Sequence, residues 1–155
     1  MPIPEFVVDL RTKIGHDLLW LPAVTAVVRR EDQVLCVQRA DNHRWAPVTG
    51  ILDPGEEPAV GALREVLEET GVVARVDRLV SVGGDNWVTH LNGDRAVYLD
   101  LTFACTWVEG EPYAADDESL DARWWPADAL PPMHPVLRER ICAALSDEVA
   151  ARFRS

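Results

Sequence analysis

Cysteine is scarce in this sequence, and its three cysteines are spaced neither as a pair nor as a cluster. They stand far apart, at Cys36, Cys105 and Cys142. An odd and scattered set predicts buried, reduced thiols rather than a disulfide framework. Because disulfides belong to oxidising compartments, this usage favours a cytoplasmic protein.

Long apolar runs are also missing. None approaches the roughly 20 residues that a membrane-spanning helix requires, and the acidic N-terminal segment does not resemble a signal sequence. The sequence has no repeat, low-complexity tract or linker, so we expect a single domain over residues 1–155. Hydrophobic residues make up 48% of the chain, enough for a sizeable core.

Positive charge is in deficit, with 15 Lys and Arg against 26 Asp and Glu and a net charge of −11. Such a chain repels nucleic-acid backbones and anionic membranes, so we expect neither a nucleic-acid polymer nor a membrane as its partner. A small anionic substrate would need a cation as a bridge. The sequence does not decide between a monomer and a homodimer.

The most informative stretch is residues 50–72, which turns and then becomes helical. Glu68 and Glu69 follow Glu65 by three and four positions, so a helix places the three carboxylates on one face. A Glu-rich face is most often only solvated. Clustered carboxylates, however, are also what Mg²⁺ and Mn²⁺ prefer as ligands. We predict that an apolar stripe faces the core on the other side, formed by Ala59, Leu63, Val66, Leu67 and Thr70.

The spacing of this stretch resembles the Nudix box: Gly, five residues, Glu, seven residues, Arg-Glu, an aliphatic, any residue, Glu-Glu, any residue, Gly and an aliphatic. With residue frequencies of about 5–10%, its seven invariant positions coincide by chance about once in 10⁸ placements. The box is short, so it indicates the reaction class better than the substrate. Its positions are filled by Gly50, Glu56, Arg64, Glu65, Val66, Glu68, Glu69, Gly71 and Val72.

Alternating strand and helix patterns favour the α/β class. The resemblance implies the Nudix fold, an α/β/α sandwich with a mixed β-sheet and the box as a loop-helix-loop. Apolar spacing predicts a helical segment at about residues 4–17 and a closing helix at about 135–153.

Strands are predicted at 23–29 and 33–39, which form a hairpin, and at 72–82, ended by a break at 83–86. A second hairpin joins 87–91 to 95–107 through Asn92-Gly93, a pair typical of a type I′ turn. Alternation in 95–107 places Tyr98 and Asp100 on one face. Tyr98 is thus a candidate substrate contact, whereas Asp100 is better explained as a hydrogen-bonded structural residue.

The resemblance implies a role for each box residue. Glu65, Glu68 and Glu69 would be ligands of Mg²⁺ or Mn²⁺, together with the carbonyl of Gly50, and a second role for Glu65 would be to position the attacking water. Arg64 would orient the catalytic glutamates through salt bridges. Its partners would be Glu56, in a supporting role, and Glu68, one turn further on.

The family often takes a further ligand or the general base from a loop outside the box. Residues 109–120 form an acid-rich loop in which most carboxylates are expected to be solvated. The segment that follows, with its Arg-Trp-Trp-Pro run, resembles the strand that follows this loop in many members. That placement makes Glu118 the first candidate for a catalytic role and Asp117 the second.

The polar segment before the box offers candidate substrate contacts. Arg39 and Arg44 can meet phosphates, and Trp45 can cover a base or a sugar. A core anchor is an equal explanation for Trp45. His43 is a less favoured ligand, since a lone histidine in a loop is more often only solvated.

The implied activity is hydrolysis of a phosphoanhydride in a nucleoside diphosphate linked to another moiety. Residues 45–50 resemble small nucleotide-sanitising members that act on nucleoside triphosphates, including oxidised ones, although Thr49 stands where many members have glycine. The alternative is a pyrophosphatase of ADP-ribose or another sugar nucleotide. A nucleotide-sensing domain without turnover is disfavoured, because such domains usually lose box glutamates.

Overall fold

The computed structural model describes residues 3–155, with the backbone alone for Asp85 and Asn86. Three helices and seven strands alternate along this part of the chain, which confirms the α/β class. They are α1 (Glu5–Ile14), β1 (Leu19–Arg30), β2 (Gln33–Arg39), β3 (Trp45–Ala46), β4 (Val48–Ile51), α2 (Pro58–Thr70), β5 (Val73–Thr89), β6 (Arg95–Glu109), β7 (Ser119–Pro126) and α3 (Pro135–Leu145). No helix of the described residues is long and apolar enough to span a membrane.

The strands form one mixed sheet in the order β3-β2-β1-β6-β5, with β4 also paired to β1 and β7 to β2. β1 and β6 are parallel, and the other pairs are antiparallel. The predicted β1–β2 hairpin is present, but only Arg29 and Arg30 pair across it. β2 then leaves β1 to join β3 and β7, and β4 takes its place beside β1.

Alternation along β1 separates the two faces of the sheet. Val24, Ala26 and Val28 pack in one core cluster with Val66 of α2. On the opposite face, Val27 packs in a second cluster with Ile141 of α3. Val7 of α1 packs with Leu21 in a third cluster. Leu21 is an even number of residues from Val27 along β1, so its side chain lies on the same face of the sheet. The helices therefore cover both faces, as the predicted sandwich requires.

The box helix α2 presents to the core a face that differs in part from the predicted one. It begins at Pro58 and ends at Thr70, and Gly71, with a φ of 70°, forms the left-handed cap. The predicted apolar stripe is wrong at Leu67, which is 52% exposed. Two of the glutamates, Glu65 and Glu69, instead face inward beside Val66.

The closing helix is shorter than predicted. α3 ends at Leu145, so its predicted continuation to residue 153 is wrong. Arg78 donates hydrogen bonds to the carbonyls of Ala143 and Ser146, at 3.0 and 3.2 Å, and so supplies partners for carbonyls at the end of the helix. Arg152 then forms a β-bridge with Ser81. Phe153, which continues the helical spacing of apolar residues in the sequence, lies beyond α3 and is 78% exposed.

The region around the second hairpin also differs from the prediction. β5 continues through the expected break at 83–86, where an irregularity in register takes up the extra residues. Gly93 has a φ of 90°, but the φ of Asn92 is not positive. A type I′ turn needs positive φ at both central positions, so that turn type is wrong. The hairpin instead closes through the N–H of His90, which donates to the carbonyl of Asp94 at 2.8 Å.

Candidate active site

Glu65 is the most buried charged residue of the site, with no exposed surface. Its Oε1 accepts a hydrogen bond from Nη1 of Arg64 at 2.8 Å. Its Oε2 is buried and has no hydrogen-bond partner among the described residues. The backbone of β4 lies against this carboxylate, since a Cβ atom on Gly50 would stand 2.2 Å from Cδ of Glu65. Glycine is therefore required where β4 meets the acid.

Glu69, one turn further along α2, is 6% exposed. Burial raises the pKa of Glu65 to about 7 and that of Glu69 to about 8, because the charged forms lose their hydration. The neighbouring carboxylates of Glu65, Asp116 and Glu118 add to the rise in the pKa of Glu69. Two buried acids one turn apart are an arrangement that a bound cation would stabilise.

Arg64 connects three glutamates of the box. Its Nε and Nη2 donate to the two carboxylate oxygens of Glu56 at 2.7 and 2.9 Å, in a bidentate pair. Its Nη1 donates to Glu65 at 2.8 Å and to Glu68 at 3.0 Å. The hydrogen bonds from Arg64 lower the pKa of Glu56, so this carboxylate stays ionised. Both of the salt bridges expected for Arg64 are present.

These residues fit a hard cation in their chemistry. The unpartnered Oε2 of Glu65 and the carboxylate of Glu69 are oxygen donors of the kind that Mg²⁺ and Mn²⁺ prefer, and the backbone of Gly50 lies against Glu65. Glu68 is half exposed and held by Arg64. Within the described part of the chain, no three acidic, histidine or cysteine side chains stand close enough to form a ready-made metal site.

A small cavity of about 20 Å³, roughly the space of one water molecule, adjoins Glu69. It brings together residues from four parts of the chain: Arg39, Thr49, Glu69 and Glu118. The loop candidate Glu118 thus lies beside the box helix. Asp117 is exposed and does not line this cavity.

Other candidate substrate contacts lie elsewhere. Arg44 is exposed on the turn that follows β2. Trp45 packs edge-to-face on Trp125, with ring centroids 5.1 Å apart, which favours the core anchor. Tyr98 packs in the cluster beneath α1, and its hydroxyl lies 3.0 Å from Nε2 of His90.

Two further polar residues are explained by their contacts. Asp100 is 4% exposed and accepts hydrogen bonds from the hydroxyls of Thr25 and Thr102, both at 2.8 Å, in agreement with the structural role expected for it. Asp41 was missed by the sequence analysis. It accepts two hydrogen bonds from Arg39, at 2.9 and 2.7 Å, and so fixes this arginine beside the cavity. An Arg-x-Asp spacing was the only sequence signal for this pair.

Comparison with known proteins agrees with the fold and the box. The NUDIX domain family model matches residues 19–144. The chain belongs to the Nudix hydrolase family.

Similar proteins carry several names. The chain is 46% identical over 109 residues to a MutT-like protein of Streptomyces ambofaciens, an alignment covering 70% of this chain and 65% of that protein. It is 34% identical over 117 residues to the NAD-capped RNA hydrolase NudC of Pseudomonas aeruginosa (strain LESB58), covering 72% of this chain and 38% of that enzyme. Among solved structures, a UDP-X diphosphatase has a TM-score of 0.65 at 25% identity, covering 90% of this chain and 68% of that one. The chain therefore spans less than two thirds of the length of the MutT-like protein and of the NudC enzyme.

Proposed function

We propose that this protein is a metal-dependent hydrolase that cleaves a phosphoanhydride in a nucleoside diphosphate linked to a second moiety. The observation that carries the proposal is the pair of buried glutamates, Glu65 and Glu69. One oxygen of Glu65 has no partner among the described residues, and the carboxyl group of Glu65 lies against the backbone of Gly50. Burying two acids one turn apart is costly when Arg64 pairs with only one oxygen of Glu65, and a structural role alone gives no reason for it.

Each nearby residue has a task in this proposal. A divalent cation, Mg²⁺ or Mn²⁺, would neutralise phosphate charge and lower the pKa of the attacking water when bound. Glu65, Glu69 and the Gly50 carbonyl would hold it, with Glu68 as a further ligand once released from Arg64. Glu118 would accept the proton of the water or serve as an additional ligand.

The chain's own charges support a small substrate. Arg39, which Asp41 fixes next to the cavity, would bind a phosphate oxygen. The net charge of −11 works against a long RNA.

The names of the relatives, a NAD-capped RNA hydrolase and a UDP-X diphosphatase, support a diphosphate that joins two moieties. A nucleoside triphosphate, oxidised or not, remains the prediction from residues 45–50. A cytoplasmic location also remains a prediction.

A substrate panel tests the proposal. Nucleoside triphosphates, oxidised triphosphates, ADP-ribose, a UDP-sugar, NAD⁺ and a NAD-capped RNA would be incubated with Mg²⁺, Mn²⁺ or EDTA, and the products separated by chromatography. We expect turnover only with metal, and on a small nucleotide rather than on the capped RNA. A Glu69→Gln protein purified in parallel controls for contaminating enzymes. Tight nucleotide binding without turnover of any compound would contradict the proposal and favour a sensor.

Arg64→Lys is expected to reduce kcat by about 10- to 100-fold, since lysine cannot form the bidentate pair with Glu56 and still reach Glu65. Steady-state kinetics on the best substrate of the panel would measure the loss. The matched control is Arg75→Lys, because Arg75 is an exposed arginine on β5 whose salt bridge is to the exposed Asp77. Equal activity of the two variants would show that the network of Arg64 does not orient the glutamates.

A further inference from the structure

Residues 110–118, which we call the acidic loop, lie along the C-terminal end of α2. The N–H of Tyr113 donates to the carbonyl of Thr70, and the N–H of Ala115 donates to the carbonyl of Glu69, both at 3.1 Å. Carbonyls in the last turn of a helix have no partner within the helix. The acidic loop supplies hydrogen-bond partners for these carbonyls, and one of the carbonyls belongs to Glu69, a proposed metal ligand.

The ring of Tyr113 rests on the last glycine of the box. A Cβ atom on Gly71 would stand 2.3 Å from Cε1 of Tyr113, so the ring packs directly on the Cα of this residue. Gly110 also lies close to Gly71, since a Cβ atom on Gly110 would stand 2.9 Å from the carbonyl oxygen of Gly71. Trp107 holds that end through its Nε1, which donates to the carbonyl of Gly110 at 2.8 Å. Gly71 therefore serves as a seat for the loop as well as a helix cap.

The other end of the acidic loop is fixed around Glu118. The carboxylate of Asp116 accepts hydrogen bonds from the N–H groups of Glu118 and Ser119, at 3.1 and 3.2 Å. The carbonyl of Glu118 accepts one from the N–H of Ala40 at 2.7 Å. Between these bonds and the glycine seat, the loop has little freedom in which to displace Glu118.

We propose that Tyr113 is a positioning residue that holds the acidic loop on α2 and thereby sets Glu118 beside Glu69. Tyr113 is 60% exposed, so its ring contributes little to the core and its main contact is the glycine seat. A displacement of about 1 Å in a catalytic group can reduce a rate about 100-fold, so a modest loosening of the loop is enough to matter. This inference rests on the role proposed for Glu118.

The test compares Tyr113→Ala, Tyr113→Phe and Glu118→Gln, each alone, with the Tyr113→Ala/Glu118→Gln double variant. We expect Tyr113→Ala to lower kcat about 10-fold with KM within about twofold, and Tyr113→Phe to restore the parent rate, because the ring and not the hydroxyl makes the contact. The double variant should be no slower than Glu118→Gln, since residues that act through one group are not additive. Without metal or substrate, amide exchange at Ala115 should be about 10-fold faster in the two proteins that carry Tyr113→Ala, and unchanged in Tyr113→Phe and in Glu118→Gln.

The outcomes separate this inference from the proposed function. Parent activity and unchanged exchange at Ala115 in Tyr113→Ala, with Glu118→Gln impaired, would overturn the positioning role alone. Additive losses in the double variant would also overturn it, because Tyr113 would then act independently of Glu118. Parent activity in Glu118→Gln would overturn the role of Glu118 and the positioning role together.

Discussion

A Glu69→Gln variant is expected to lose at least about 10³-fold in kcat and yet to unfold at a higher temperature than the parent when both are free of metal. Glu69 is 6% exposed and lies one turn from Glu65, so its charge is buried beside a like charge. Glutamine keeps the shape and removes the charge. The expected gain is about 1 kcal/mol, or roughly 2–4 °C in Tm.

The pH dependence of this gain has a definite sign. Burial raises the pKa of Glu69 to about 8, so the folded protein binds this proton more tightly than the unfolded chain does. The metal-free parent therefore loses stability as pH rises from the ordinary glutamate pKa towards 8. Because glutamine does not titrate, its advantage is complete above pH 8 and largely absent near pH 5.

Thermal melts with and without Mn²⁺ would check both parts of this prediction. Metal should raise the Tm of the parent more than that of Glu69→Gln, because the ion binds only the folded state and loses a ligand in the variant. Glu139→Gln, a change to an exposed glutamate of α3, is the matched control and should alter neither property. A Glu69→Gln protein that turns over at the parent rate would show that this face of α2 does not bind the metal.

Glu118→Gln is expected to lower kcat by about 100-fold, whereas Glu111→Gln should leave it nearly unchanged. Glu118 lines the cavity beside Glu69. The carboxylate of Glu111 pairs with Arg30 at 2.7 Å, but it is 75% exposed, and such a surface pair contributes little. The two variants therefore make the same chemical change in one loop, at positions of opposite expected importance.

The pH–rate profile and the metal dependence distinguish two roles for Glu118. If it is the general base, the acidic limb of the profile should disappear in Glu118→Gln. If it is only a metal ligand, the deficit should shrink as metal concentration rises. Similar kcat values for Glu118→Gln and Glu111→Gln at saturating metal would contradict both roles, and Asp117 would be the next acid to replace.

The box could be read from the sequence because its information lies in local spacing. A fixed separation of charged residues on one helix survives any detail of packing, so the resemblance to the Nudix family could be recognised from it, and that resemblance implied the reaction class and the α/β/α sandwich. The orientation of α2 did not follow. Counting apolar residues treats every glutamate as outward-facing and so favoured Leu67 for the core, whereas Glu65 and Glu69 are buried there instead.

The rest of the site depends on contacts between distant parts of the chain, which no local pattern contains. The contact of Arg39 with the cavity, and the seating of Tyr113 on Gly71, join segments that are separated by many residues. The end of α3 was missed for a related reason. The apolar spacing continues to Phe153, but a helix needs a core beside its apolar face, and none is present there.

The β-bridge near Arg152 has a consequence for self-association. β5 is the last strand of the sheet, and such an edge is a template to which a strand of another molecule can add. Two backbone hydrogen bonds occupy it, from the N–H of Val82 to the carbonyl of Arg152 at 3.0 Å and from the N–H of Arg152 to the carbonyl of Val80 at 2.8 Å. The residues after α3 thus protect this segment against intermolecular strand addition. Without them the box would be intact, but the protein would offer an open edge for aggregation.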